Sequence, residues 1–227
     1  PGQHRRDTLA DLFWYDLPKE AARLNLRQTI FQLRTVLAAA TGRDFLVSSR
    51  DLLGFDPDSP HRLSANDLAT PLPACTNPRP ESCETCLSRL EAYADYYRGP
   101  FLADLSLSGC PGFEEWQHEK REFLHLHMLS LLARLTDCHE RRGNTSAALQ
   151  FAQRHVALEP LSEAGQLRAI RLLALNDRPD AALAQFEACQ RILKRDLGVV
   201  PGTQLQAFAQ RLREESLDTR PASPPPK

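Results

Sequence analysis

From residue 84 onward, segments with apolar residues at helical spacing alternate with proline or glycine. This pattern predicts helices that end at each interruption, because proline cannot continue a helix and glycine readily closes one in the left-handed conformation. The predicted helices cover six ranges: 84–98, 113–141, 145–157, 162–175, 179–196 and 202–216. A chain interrupted in this way is expected to fold into helical hairpins rather than a sheet.

Two of these helices begin with nearly the same residues. The triplet Ala147-Ala148-Leu149 returns thirty-four residues later as Ala181-Ala182-Leu183. Thirty-four residues is the period of tetratricopeptide repeats, which place two antiparallel helices in each unit. Small side chains such as those of Ala148 and Ala182 allow neighbouring helices to approach closely. The sequence therefore predicts a degenerate tetratricopeptide-like repeat.

The amino-terminal part of the chain mixes helix and hairpin signals. Residues 8–14 form a short amphipathic turn, and a longer helix is expected over 19–40, after Pro18 and before Gly42. One apolar stripe runs along that helix: Ala22, Leu26, Ile30, Leu33 and Leu37. Two short apolar runs, 45–47 and 52–55, then predict a β-hairpin. Helix, turn, helix and hairpin is the order found in the second half of a winged helix.

The helix over 19–40 is strongly basic on one side. Its only acid is Glu20, while Arg23, Arg27 and Arg34 step by four and seven residues and share a side. The first fifty residues hold eight basic and five acidic residues, although the whole chain has a net charge of -1. An α-helix, which is about ten ångströms wide, fits the major groove of DNA, where arginine pairs with guanine and glutamine with adenine. The alternative interpretation is a solvated helix face.

Several segments together resemble one family, the bacterial transcriptional activator domain proteins of the antibiotic-regulatory type. The resemblance reaches to about residue 216 and rests on these segments: Arg6–Trp14, Asp16–Pro18, Ala21–Gln28, Leu90–Leu102, Phe113–Trp116, Ala157–Pro160 and Leu193–Gly198. It implies an OmpR-type winged helix joined to a tetratricopeptide-like bundle. It also implies binding to double-stranded promoter DNA and recruitment of RNA polymerase.

The resemblance implies roles for individual residues as well. Helix 19–40 would be the recognition helix, with Arg27, Gln28, Thr29 and Gln32 facing the groove. Arg23 and Arg34 would contact the DNA backbone. Independently of the resemblance, the order of the elements predicts that the hairpin is the wing, with Arg43 and Arg50 near phosphates.

The predicted fold class is mostly α, with a partial winged helix-turn-helix followed by an all-α helical-repeat domain. Residues 1–65 are expected to form the winged-helix domain, whose amino-terminal part is missing. Residues 66–82 are a proline-rich linker, since six prolines lie between 57 and 80. Residues 83–216 form the helical domain, and 217–227 a disordered linker to which a further module is expected to be attached.

Three cysteines lie close together in the sequence. Cys83 and Cys86 form a C-x2-C pair, and Cys75 lies eight residues before it. Zinc needs four ligands, and the fourth would have to be His61 or Cys110. The favoured interpretation is reduced thiols without metal, so no cofactor is predicted. Cys138 and Cys189 are expected in helix cores.

No motif for catalysis or membrane insertion occurs in the sequence. Phosphate-binding loops, dinucleotide fingerprints and nucleophile elbows are missing, so an enzyme is not expected. No stretch approaches the ~20 apolar residues that cross a bilayer, and no signal segment opens the chain. A cytoplasmic location is therefore expected.

Three functions remain open at this point. In the first, the winged helix binds promoter DNA, and the helical domain serves dimerisation, polymerase contact or signal reception. In the second, the chain is a protein-interaction or sensory module that regulates an attached enzyme or ATPase without binding DNA. A small ligand in the groove of the helical repeat is a third possibility.

Overall fold

The computed structural model describes residues 2–60 and 83–218. By their internal contacts these residues form two compact units. The amino-terminal unit holds residues 2–60 and 96–125, and the carboxy-terminal unit holds 83–95 and 126–218. The grouping of 96–125 with the amino-terminal residues is not indicated by the sequence.

The amino-terminal unit begins with two helices and a small sheet. Its elements are strand β1 (Gln3–Arg5), helices α1 (Arg6–Phe13) and α2 (Lys19–Thr41), and strands β2 (Leu46–Ser48) and β3 (Leu52–Phe55). The sheet is antiparallel, in the order β1-β3-β2. Gln3 is paired with Gly54, where an added Cβ would lie only 3.0 Å from the Gln3 side chain. Glycine at position 54 therefore lets β1 approach β3 closely.

The core of this unit lies between α1, α2 and the sheet. Ala10 on α1 packs with Ala22, Leu26 and Ile30 of the predicted α2 stripe. Leu33 is different, because 44% of its surface is exposed. Among the described residues, the cluster against α2 does not extend past Ile30, so the fully buried stripe is shorter than the sequence predicts.

An aromatic cluster also belongs to the amino-terminal unit. The ring of Phe13 at the end of α1 stacks on Phe113, with ring centres 5.7 Å apart, and Phe113 contacts Trp116 at 5.6 Å. The Cys110 thiol donates a hydrogen bond to the carbonyl of Phe13, at 3.1 Å. These contacts explain why residues 96–125 group with the amino-terminal residues.

Within its described residues, the carboxy-terminal unit consists of helices joined by short turns. The helices of the second half of the chain are α3 (Glu84–Tyr96), α4 (Pro111–Arg141), α5 (Thr145–Leu158), α6 (Glu163–Leu175), α7 (Pro179–Asp196) and α8 (Thr203–Asp218). Helix α4 begins in the amino-terminal unit and ends in this one. Each of these helices begins and ends within two residues of the predicted positions. The predicted fold class is confirmed.

Side chains at the helix ends explain these bounds. The Asn144 side chain accepts a hydrogen bond from the amide of Ala147 at 3.2 Å, and Ser162 caps α6 in the same way through Gly165. Pro179 occupies the first turn of α7. Between α5 and α6, Thr145 and Asn176 exchange hydrogen bonds at 3.1 Å.

The two repeats are equivalent in structure as well as in sequence. Ala148 and Ala182 are both fully buried at the start of their helices. The turns that precede them both use the left-handed conformation, with φ of 73° at Gly143 and 55° at Asp177. The second turn therefore has the same geometry although Asp177 stands where the first turn has glycine.

Gly143→Ala is expected to lower the free energy of unfolding by about 1 kcal/mol, because an alanine Cβ strains a left-handed turn. Gly112→Ala is the matched control. Its Cβ would meet Leu12 at an ordinary 3.6 Å, so stability should stay the same or rise slightly. Urea unfolding measures both changes, and equal losses in the two variants would contradict the expectation.

Parts of the sequence predictions lie outside the described residues. The linker predicted at 66–82 is one of them, and so is the tail from residue 219, while residues 217 and 218 continue α8. The predicted domain boundaries at 65, 82 and 216 therefore stay predictions. Among the described helices, none combines the length and the apolar character needed to cross a bilayer.

Candidate nucleic-acid interface

The amide and hydroxyl side chains predicted to face DNA all lie on the surface of α2. Gln28, Thr29 and Gln32 are exposed, as is Arg27. They do not share one side, because each residue turns the helix by about 100°. Arg27 and Thr29 are thus about 200° apart, on opposite sides of the helix. Gln28 and Gln32 are neighbours at a spacing of four.

The side of α2 opposite its buried stripe includes four exposed residues that we call the outer face: Leu24, Arg27, Gln28 and Phe31. Glu20 and Thr35, one turn before and one turn after them, are exposed on the same side. Leu24 and Phe31 are seven residues apart, and Arg27 and Gln28 lie between them at spacings of three and four. Phe31 is 72% exposed and Leu24 is 51% exposed. The outer face therefore combines apolar and hydrogen-bonding side chains.

Arg23 is held in an ion pair inside the unit. Its guanidinium donates to both carboxylate oxygens of Asp7 on α1, at 2.6 and 2.7 Å. This hydrogen bonding from Arg23 holds the pKa of Asp7 below its usual value. Because the folded-state pKa is depressed, the pair is present at neutral pH and is lost only as the pH falls below about 4.

Arg34 connects α2 to strand β2. Its Nη2 donates to the Leu46 carbonyl at 2.8 Å and to the Ser48 hydroxyl at 2.9 Å, and its Nε pairs with Asp44 at 3.2 Å. The side chain is half-buried. These contacts orient the hairpin, and the phosphate contact predicted for Arg34 stays a prediction. Within the described residues, Arg27 makes no such bond.

The turn between β2 and β3 is held by Arg6. The Arg6 amide donates to the Asp51 carbonyl at 2.9 Å, and its Nε donates to the Ser49 carbonyl at 3.1 Å. Arg50 is exposed in this turn, while Arg43 is exposed in the turn that follows α2.

A cavity of about 380 Å³ lies between β1, α1, α2 and this turn. We call it the arginine cleft, after the five arginines that line it: Arg5, Arg6, Arg23, Arg27 and Arg50. Asp7 and Asp51 are the acids on its wall, so the cleft has a net charge of +3. A cleft of this charge attracts anions, and guanidinium groups suit phosphate because they donate two parallel hydrogen bonds.

The sequence model of the bacterial transcriptional activator domain family matches residues 74–213. The chain belongs to this family. The resemblance seen in the sequence is thereby confirmed. No curated protein matches the chain.

The fold of this bacterial transcriptional activator domain protein is also similar to a solved structure. Mycobacterium tuberculosis EmbR, in complex with a low-affinity phosphopeptide, matches 94% of this chain with a TM-score of 0.56 and 19% identity. The chain spans 55% of the length of that EmbR chain. At this identity the likeness concerns the fold alone.

In this family member, the structure assembles a basic surface only part of which is predicted from sequence. It brings Arg23, Arg27 and Arg50 together in the arginine cleft, while Arg43 is not among the cleft residues. The sequence pattern does not indicate Arg5 and Arg6 as site residues. Their positive charges are evident from the sequence, but only the pairing of β1 with β3 brings them to the turn that holds Arg50.

Among the described residues of this bacterial transcriptional activator domain protein, the cysteines are not grouped into a metal site. Cys83 and Cys86 are half-buried at the start of α3, whereas Cys75 and His61 lie outside the described residues. Over 2–60 and 83–218, no three His, Cys, Asp or Glu side chains are placed to hold a metal ion. Cys138 and Cys189 are buried as predicted, and burial is the main cause that raises the pKa of the Cys189 thiol.

Proposed function

We propose that this chain regulates transcription by binding promoter DNA, with the outer face of α2 in the major groove and the arginine cleft against the phosphates. The observation that carries the proposal is the cleft, where five arginines stand beside the exposed side of the helix. Family membership supports a role among transcription regulators rather than enzymes. The proposed function involves binding alone.

The dimensions and charges of α2 agree with this proposal. An α-helix with its side chains is about 10–12 Å across, and the major groove of B-DNA is about 12 Å wide. Arg27 belongs both to the outer face and to the arginine cleft. We propose that its guanidinium contacts a guanine edge at the border between the groove and the backbone.

The ion pair between Arg23 and Asp7 suits a positioning role. A bidentate pair fixes the guanidinium plane of Arg23, and the free N–H groups of that plane remain available to a phosphate oxygen. We propose that Arg23 and Arg50 hold the DNA backbone from two sides of the cleft.

The test is a binding selection on random duplexes with the full chain, followed by salt titration of the enriched sequence. We expect enrichment of a defined site. We also expect the logarithm of the association constant to fall with the logarithm of salt concentration, with a slope of about −2 for the phosphate contacts proposed for Arg23 and Arg50. Binding without sequence enrichment would contradict regulation of specific promoters. No salt-dependent binding would overturn the proposal.

Asp7→Asn is expected to strengthen binding to duplex DNA about two- to fivefold at low salt. The substitution removes one negative charge from the wall of the arginine cleft, and the gain should shrink as salt screens it. Fluorescence anisotropy at two salt concentrations measures the change. Glu187→Gln, a charge-matched change at an exposed residue of the carboxy-terminal unit, should have little effect. Unchanged binding by Asp7→Asn would show that the cleft does not meet phosphates, whereas weaker binding would show that the positioning of Arg23 by Asp7 outweighs the charge of that carboxylate.

For the carboxy-terminal unit we propose protein contacts, with RNA polymerase or a second copy of the chain as partner. Exposed apolar residues at the end of α7 and beyond support this: Leu197, Val199 and Val200. Sedimentation of the full chain with and without polymerase tests both partners. Sedimentation as a monomer, unchanged when polymerase is added, would contradict the proposal for this unit.

A further inference from the structure

The outer face of α2 carries two large apolar side chains that the phosphate and hydrogen-bond contacts of the proposed function do not use. Phe31 and Leu24 are more than half exposed, on a helix whose opposite side is buried. A phenylalanine with 72% of its surface in water gains free energy once another surface covers it. Its position on the helix indicates what that surface is.

The surroundings of Phe31 favour nucleic acid over an apolar protein groove. Arg27 lies four residues before it and Gln28 three residues before it, so both flank the ring on the same face. The helix holds four basic residues against the single acid Glu20. An apolar protein partner would have to bury these charged and amide groups, whereas a DNA major groove offers hydrogen-bond acceptors to them.

Thymine is the base that offers an apolar group in the major groove. Its C5 methyl projects there, next to the acceptor and donor groups that arginine and glutamine recognise. Seven residues of helix rise about 10.5 Å, which is close to three base steps of about 3.4 Å each. Leu24 and Phe31 can therefore contact methyl groups about three steps apart, with Arg27 and Gln28 between them.

We propose that Phe31 and Leu24 select thymine at two positions of the DNA site by contact with its methyl groups. This inference rests on the proposed function and adds the base class that the outer face recognises. The binding site enriched from random duplexes should contain thymines separated by about three steps.

Deoxyuridine provides the test, because it pairs like thymine but lacks the methyl group. The full chain should bind the enriched duplex about fourfold less tightly for each contacted thymine replaced by deoxyuridine, the loss expected for one buried methyl-sized group. The slope against salt should not change, since no phosphate contact is lost.

The Phe31→Ala variant tests whether Phe31 is the residue that contacts a thymine methyl group. This variant should bind the thymine and deoxyuridine duplexes equally at one position, while Phe31→Leu should keep part of the preference. Because Phe31 is exposed, the urea midpoint should stay at the wild-type value, which shows that the fold is intact. Leu175→Ala, which truncates an exposed leucine of the carboxy-terminal unit, should keep full discrimination.

Three results would overturn the inference. Equal binding of thymine and deoxyuridine duplexes by the wild type would show that the protein binds DNA without recognising the methyl group. Weaker self-association of Phe31→Ala, with discrimination unchanged, would assign the outer face to a second copy of the chain. Absence of salt-dependent DNA binding would overturn the proposed function and this inference together.

Discussion

Leu172→Ala is expected to lower the free energy of unfolding by about 3 kcal/mol. Leu172 is fully buried on α6 in the core formed by helices α5 to α8. Truncating a leucine to alanine there loses the transfer free energy of the removed atoms and leaves a cavity that close-packed neighbours fill only in part. Urea unfolding followed by circular dichroism measures the loss.

The matched control for this variant lies three residues further along the same helix. Leu175 is 61% exposed, so Leu175→Ala removes the same atoms without opening a cavity and should cost less than about 0.5 kcal/mol. DNA affinity of Leu172→Ala should be retained under conditions where it stays folded, because α2 packs in a separate cluster. Equal losses of stability in the two leucine variants would show that Leu172 is not enclosed.

Arg27→Ala is expected to weaken binding to the enriched DNA site by ~1–3 kcal/mol, or roughly 5- to 150-fold, and to relax the preference at one base position. The reason is the place of Arg27 on the outer face, where a guanidinium can donate two hydrogen bonds to guanine. Anisotropy titrations with the enriched site and with single-base variants of it measure both effects.

Two further arginine variants separate base recognition from charge. Arg50→Ala should weaken binding to all sequences about equally and reduce the salt slope by about one, because Arg50 is proposed to hold a phosphate. Arg171→Ala, at an exposed residue of the carboxy-terminal unit, should leave binding unchanged. If Arg27→Ala behaves like Arg50→Ala, Arg27 contacts only the backbone, and if it behaves like Arg171→Ala, the groove assignment is wrong.

The helices could be predicted well because their ends depend on neighbouring residues. Asn144, Ser162 and Pro179 act within one turn of their own position, so their effect can be read along the chain. The thirty-four-residue repeat is equally local, since Ala148 and Ala182 occupy the same place in two similar hairpins. Asp177 shows the limit of this approach, because aspartate adopts the left-handed conformation only occasionally and its residue type alone does not predict that conformation.

The site was harder to predict because its contacts join distant residues. Arg23 reaches Asp7 sixteen positions away, and Arg34 reaches the backbone of a strand that follows its helix. Strand β1 has no alternation of apolar residues, and the absence of a side chain at Gly54 leaves room for it beside β3. The helical spacing of the arginines therefore predicts a basic side of α2. It does not show which arginines form ion pairs or hydrogen bonds with other residues of the fold.

Arg6 has a consequence for the energetics of DNA binding. By holding two carbonyls of the β2–β3 turn, it keeps Arg50 on a backbone that is already ordered before any ligand arrives. A loop ordered in advance loses little conformational entropy on association. More of the favourable free energy of each phosphate contact therefore contributes to affinity. Loosening that anchor should therefore weaken the complex without removing a single group that touches the nucleic acid.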